Sequence, residues 1–284
     1  MEIQFPVRET IERRRSVRTY DGRQLTEEHR TKLMGYAKAL SNPFHIPVTV
    51  RLLETETSSS QKLGTYGVIK GTKTFLGVTV PKGELSLEAA GYSFEQLVLY
   101  ATSLGVGTCW LAATFDRKAF TRELDVKPDE WFPVISPVGY ASEKRAVSEA
   151  LMRGGMRSDK RKPWKDLFFR DTFETSLSRQ EAGDLAEPLD LLRLAPSATN
   201  AQPWRVLLRD GNAHFYAKAS EGRDEIDPQI IQRVDVGICA NHFHLSAETQ
   251  GLSGSIARMT EPEQTHAPQD LRYLFSWVSG EVLS

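Results

Sequence analysis

The chain has 284 residues, 40% of them hydrophobic, with 36 basic against 37 acidic side chains and a net charge of -1 at neutral pH. That length can bury a substantial core in one large domain or two similar ones, which excludes extensive disorder. Balanced charge offers no field for nucleic acid or an anionic membrane, and no run of 18 apolar residues occurs, so a small-molecule substrate is the expected partner. The only cysteines, Cys109 and Cys239, lie in apolar helical patterns and no charged-then-apolar leader opens the sequence, from which we expect a reducing, cytoplasmic setting.

In chain order, Pro6 can start a helix that ends near Arg14, leaving Arg14, Ser16 and Arg18 around a turn where alternate side chains converge. Arginine forks and a hydroxyl suit a phosphate or a carbonyl-rich ring edge. Basic residues after a helix also serve as solvated dipole partners, and the segment alone does not separate the two readings. A strand-like run follows Pro47 to Leu53, and another runs from Thr74 to Val80. Ser86 is the expected N-cap of a long helix in which Phe94, Leu97, Val98, Ala101 and Leu104 recur at helical spacing until Gly105 offers a stop. Ser136 to Tyr140 reads as a further strand. The basic residues Arg157, Lys160, Arg161, Lys162 and Lys165 surround Pro163, and we place a junction between Arg153 and Phe169, where a solvated linker is the other reading.

The second half repeats this plan. A helical pattern runs from Val236 through Ala240, Phe243 and Ala247 to Gly251; Gly237 and Gly251 are 14 positions apart, as are Gly91 and Gly105. Ala39 to Leu53 can be laid on Ala195 to Arg209, each segment passing through a proline, Pro47 or Pro203, into a strand-like run. A repeat of this length is a duplicated domain, expected as residues 1–155 and 156–284. Each half is expected to run helix, helix, strand, strand, long helix and further strands, an α+β sandwich of helices around a sheet. A Rossmann fold is disfavoured, because no G-x-G-x-x-G occurs and Gly105-Val-Gly107 follows a helix. Two prolines stiffen Pro196-Ser-Ala-Thr-Asn-Ala-Gln-Pro-Trp204, a loop rich in short hydrogen-bonding groups that fits either a flat ligand or a capped turn closed by a core tryptophan. Cys239 and His242 stand three apart without further ligands, so no metal site is expected, and no G-x-S-x-G surrounds Ser197.

Together, Arg14-Arg-Ser16-Val-Arg18, Pro196 to Trp204, and Leu104-Gly-Val-Gly-Thr-Cys-Trp-Leu-Ala-Ala113 resemble the three motifs of the nitroreductase family of FMN-dependent oxidoreductases, specifically its tandem-repeat subgroup. The resemblance implies an α-β-α sandwich duplicated in one chain as an internal pseudo-dimer, and a monomer that mimics the family's homodimer. It implies FMN as cofactor, NAD(P)H as electron donor, and ping-pong hydride transfer to nitroaromatics, quinones or related acceptors. Alternatives on the same scaffold are a flavin- or metabolite-binding protein without turnover, and flavin-dependent dehalogenation or flavin consumption. By carry-over, Arg14, with Arg15 beside it, holds the phosphate side. Ser16 and Arg18 approach the ribityl and ring, and Arg18 stabilises negative charge on the ring. Leu111, Ala112 and Ala113 line a ring face. Pro196, Ser197, Ala198, Asn200 and Gln202 complete the site from the second half, with Lys160 and Arg161 as the basic pair against the phosphate. No general acid is assigned. The order departs from the family: the first half keeps the arginine motif but reads Leu40-Ser-Asn-Pro-Phe-His where P-S-x-x-N belongs, whereas the second keeps P-S-x-x-N and reads Phe168-Phe-Arg-Asp-Thr-Phe where the arginines belong. One complete site is therefore expected.

Overall fold

β-Branched and aromatic runs alternate with amphipathic stretches along the whole chain, and the elements they form fall into two sheets with helices packed on them. A computed structural model describes residues 3–54, 64–142, 160–219, 228–259 and 267–280. It divides into two units, one of Met1–Ser41, Ile46–Ser86 and Ser93–Asp159, the other of Asn42–His45, Leu87–Tyr92 and Lys160–Ser284. The expected boundary between residues 155 and 156, and Arg157 of the basic cluster, lie outside the described residues.

The first unit carries α1 (Val7–Arg13), α2 (Glu27–Ala39), β1 (Thr49–Glu54), β2 (Thr74–Pro81), α3 (Ser86–Ser103), β3 (Gly107–Thr108), α4 (Arg117–Glu123) and β4 (Glu130–Gly139), with residues 87–92 of α3 belonging to the other unit. Its sheet has the order β1-β2-β4-β3, antiparallel throughout. Strand β2 is buried from Thr74 to Val80, and Phe75, Phe115, Phe120 and Phe132 meet edge to face beneath it. Each such ring contributes about 1.5–3 kcal/mol on burial, with a further increment from the tilted geometry.

The second unit carries β5 (Phe168–Arg170), β6 (Thr172–Ser176), α5 (Ala186–Arg193), β7 (Trp204–Arg209), β8 (Asn212–Lys218), α6 (Pro228–Thr249), β9 (Gly254–Ala257) and β10 (Leu271–Ser279). Its sheet runs β6-β5-β7-β8-β10-β9, with β5 parallel to β7 and every other pair antiparallel. Within it, β7-β8-β10-β9 repeats the order β1-β2-β4-β3 of the first sheet. The helix ends repeat too. Gly105 takes φ +75° and lets Val106 N–H reach the Ala101 carbonyl at 2.9 Å; Gly251 takes φ +73° and lets Leu252 N–H reach Ala247 at 3.0 Å, the same bond 146 positions on.

The same offset governs a contact inside the second unit. A Cβ at Gly91 would stand 2.1 Å from the Val234 carbonyl, and one at Gly237 would stand 2.1 Å from the Glu88 carbonyl. Glu88 and Val234, like Gly91 and Gly237, are 146 positions apart, so the contact is reciprocal. The Arg233 guanidinium donates to both oxygens of the fully buried Glu88, at 2.6 and 2.7 Å, and closes this approach.

Two local expectations differ from what is found. The helix expected at the start of the second half is not found among described residues 160–167, where one 3-10 turn spans Trp164–Asp166; the stretch at the position of the arginine motif, from Phe168, enters the β5–β6 hairpin turned at Asp171 (φ 61°), with Phe168, Phe169 and Phe173 in ring contacts. Ser86 is the first residue of α3 rather than its cap. Lys82 N–H still pairs with the Asp129 carbonyl at 2.8 Å, and the chain must then turn within three residues through left-handed Leu85.

Candidate functional site

Helix α1 ends at Arg14, whose backbone turns extended (φ -53°, ψ 129°), and the chain then runs as an isolated strand-like segment. Ser16 bridges Thr108, Val17 N–H donates to the Thr108 carbonyl at 2.8 Å, and Lys70 N–H donates to the Arg18 carbonyl at 2.9 Å. Gly107 allows this approach, since a Cβ there would lie 2.8 Å from Val17 Cγ2. The first and third motifs are thus brought together inside the first unit.

The side chains of the turn have different fates. Arg14 is only 7% exposed, and its Nε is buried without a hydrogen-bond acceptor among the described residues. Its charged neighbour is Glu95 of α3, at 3.8 Å from Nε, and burial pulls the guanidinium pKa down while Glu95 opposes the shift. Glu95 is fully buried and accepts from Trp110 Nε1 at 2.7 Å. Arg15 is exposed and uses Nη1 on the carbonyls of Glu12 (2.5 Å) and Arg14 (2.8 Å), which caps the C-terminus of α1. Ser16 and Arg18 are half-buried, and the Arg18 guanidinium makes no hydrogen bond or ion pair among the described residues.

After β3, Leu111 exchanges backbone hydrogen bonds with Ile135 at 3.0 Å in each direction, which fixes the start of the Leu111 to Ala113 segment. Leu111 is buried, Ala112 half-buried and Ala113 exposed. Arg117 clamps the segment from below, donating to the carbonyls of Ala112 (2.5 Å), Pro133 (3.1 Å) and Phe132, with its guanidinium 4.7 Å from the Phe115 ring centre. Burial lowers its pKa.

In the second unit the structure brings Lys160 and Arg161 against the Pro196 to Trp204 loop. Asn200 Nδ2 donates to the Lys160 carbonyl at 2.8 Å, Arg161 donates to Asn200 Oδ1 at 3.1 Å and to the Leu194 carbonyl at 3.0 Å, and Lys162 N–H donates to Gln202 Oε1 at 2.8 Å. Gln202 Nε2 returns bonds of 3.2 Å to the Lys160 carbonyl, the Asn200 carbonyl and Asn200 Oδ1. The Lys160 side chain is exposed. This network holds Thr199, Asn200 and Gln202 at φ 50°, 57° and 48°, a left-handed conformation that costs a non-glycine residue about 1–2 kcal/mol. Ser197 Oγ accepts from Gln202 N–H at 2.9 Å, and Trp204 behind the loop is fully buried.

Beneath the loop stands Asp235 of α6, 4% exposed, with both carboxylate oxygens 3.2 Å from the Ala198 N–H. Desolvation raises its pKa well above the ordinary carboxylate range, and the Ala198 bond only partly opposes that. Glu95, Arg117 and Asp235 were not singled out from sequence. The available signal was a carboxylate at an otherwise apolar position of each long helix. Cys109 and Cys239 are buried free thiols, and His242 Nδ1 lies 3.0 Å from the Leu191 carbonyl.

Among solved structures, a "putative nitroreductase" of Thermotoga maritima superposes with a TM-score of 0.63 at 19% identity, covering 98% of this chain and 96% of that one, so the fold is shared from end to end. An FMN-dependent nitroreductase of Clostridium difficile R20291 (20% identity, TM-score 0.41) covers 47% of this chain and 87% of its own, and an oxidoreductase containing FMN (16% identity, TM-score 0.45) covers 54% and 86%. No curated protein matches. The family described as "Putative TM nitroreductase" matches residues 6–247, and the chain belongs to that family.

Proposed function

We propose that the protein is an FMN-dependent oxidoreductase of nitroreductase type, which takes electrons from NAD(P)H and passes them by ping-pong transfer to nitroaromatics, quinones or similar electron-poor acceptors. The observation that carries this reading is Arg14. The guanidinium is nine-tenths buried, with a carboxylate at 3.8 Å and its Nε without a hydrogen-bond acceptor among the described residues. Leaving a buried donor dry costs about 1–3 kcal/mol, and more for a charged group. A ligand with anionic and carbonyl oxygens, as FMN has, removes that cost.

In this reading Arg14 binds the phosphate side and Ser16 and Arg18 the ribityl and ring, with Leu111 to Ala113 along one ring face. Pro196, Ser197, Ala198, Asn200 and Gln202, with Lys160 and Arg161, contribute from the second half, so that one FMN binds per chain. Bound FMN supplies the hydride chemistry. Arg18 places a fixed positive charge where negative charge develops, and does so without reorganisation at the moment of transfer. Protons come from solvent. We also place the protein in the cytoplasm, in keeping with two buried free thiols, and propose that it is a monomer.

The visible spectrum is the test. Purified protein supplied with FMN is expected to be yellow, to bleach with NADH or NADPH, and to recover with a nitroaromatic or a quinone. Protein that binds no FMN contradicts the reading; yellow protein that neither nicotinamide bleaches contradicts the turnover.

A further inference from the structure

We propose that Glu95 is a positioning residue for the flavin site, facing the Nε edge of the Arg14 guanidinium as its charged neighbour so that the terminal nitrogens are left for the ligand, and that Asn241 is the same repeat position after this role was lost. The inference rests on the FMN reading above.

Glu95 lies in the middle of α3 among Phe94, Leu97, Val98 and Ala101, all buried. A carboxylate in such surroundings is unfavourable unless a cation and hydrogen-bond donors match it. Its cation is Arg14, at 3.8 Å, and Trp110 donates to its other oxygen at 2.7 Å. The indole orients the carboxylate by a hydrogen bond, and the carboxylate faces the Nε edge of the guanidinium across 3.8 Å as an opposite charge. Three segments of one unit, the arginine turn, α3 and the chain after β3, meet at this contact.

Position 241 is 146 residues beyond 95, the offset shared by the helix-ending hydrogen bonds and by the two close glycines. Asn241 is also fully buried, yet neither its Oδ1 nor its Nδ2 has a partner among the described residues. The second half has no arginine turn to present to it, since the corresponding segment is the β5–β6 hairpin with Phe168 buried at its start. A polar group persists at the position while the group that justified it has gone, and native structures leave few such atoms unsatisfied.

Two roles for position 95 give different results when FMN affinity is measured by flavin fluorescence quenching, alongside Tm, in wild type, Glu95→Gln, Trp110→Phe and Asn241→Leu. Positioning predicts at least a 10-fold loss for Glu95→Gln, because the amide then turns a donor towards Arg14. It predicts about a 3-fold loss and a changed visible circular dichroism of bound flavin for Trp110→Phe, which keeps both charges but removes the indole hydrogen bond from the carboxylate. Asn241→Leu is expected to leave FMN affinity unchanged and to raise Tm by about 3 °C, because an unsatisfied amide is replaced by an apolar group of similar size. If Glu95 only offsets charge, Glu95→Gln binds FMN more tightly, because a negative charge near the site has gone. Equal or tighter binding by Glu95→Gln overturns the proposal, as does weakened binding by Asn241→Leu. If Glu95→Gln does not fold, Trp110→Phe decides, and wild-type affinity and dichroism in that variant overturn it. Wild-type protein that takes up no FMN sinks the functional reading itself, an outcome distinct from a failure of the variants alone.

Discussion

The arginine turn of the first unit and the Pro196 to Trp204 loop of the second differ in what their polar groups already hold. Around Asn200 and Gln202 almost every side-chain donor and acceptor is matched within the loop or to residues 160–162. At Arg14 the Nε is buried without a hydrogen-bond acceptor among the described residues, and its charged neighbour Glu95 stands 3.8 Å away. A self-satisfied loop keeps its shape without a ligand and offers preorganised surface. An unsatisfied buried cation is complete only when a ligand brings acceptors. On the proposed reading, the loop contributes shape and the arginine turn binding energy.

The sharpest way to break that contrast is Arg14→Ala. Two charge-assisted hydrogen bonds at about 1.5–3 kcal/mol each correspond to an FMN affinity loss of about 100-fold or more. Without ligand the same change removes the neighbouring cation from the buried Glu95 carboxylate, at a cost of up to about 3–5 kcal/mol in unfolding free energy. Titration and denaturant melts measure the two effects separately. A smaller effect is expected at Asn200→Ala, where a left-handed backbone and its hydrogen bonds are lost together. Stability should fall by about 1–3 kcal/mol, and FMN affinity by about 10-fold, the two moving together because the residue acts through loop shape. An Asn200→Ala variant that loses FMN without losing stability would show that its amide contacts the ligand directly.

Asp235 provides the smallest effect and a pH test. Its folded-state pKa is raised by burial, so the folded protein holds this proton more tightly than the unfolded chain. The stabilisation is present at low pH and is lost as pH rises through the folded pKa. Asp235→Asn keeps an acceptor for Ala198 N–H and has no proton to lose. Its Tm should exceed that of wild type by a margin that widens from about pH 4 upwards and then levels off; a constant margin across pH contradicts the assignment.

Much of the fold was legible in the sequence, because its signals are local. Gly105 and Gly251 end their helices as their positions indicate, and Thr74 to Val80 and Trp204 to Arg209 form strands where β-branched and apolar residues cluster. The common offset of the helices anticipated the common strand order. What escaped depends on distant partners. Nothing around Glu95 names Trp110 or Arg14 as its neighbours, and nothing around Asp235 names Ala198. Phe168 to Phe173 lies at the position of the arginine motif and forms strand instead, with β5 paired to β7 and Phe173 against Tyr216 of β8. The individual site residues were legible as types. Which of them are already satisfied was legible only from the hydrogen bonds.

The most direct measurement of the central claim is calorimetric titration of FMN into wild type and Arg14→Ala at one ionic strength. The account predicts one FMN per chain for wild type and affinity lower by about 100-fold in the variant. Two FMN per chain, or equal affinity in the two proteins, would contradict it.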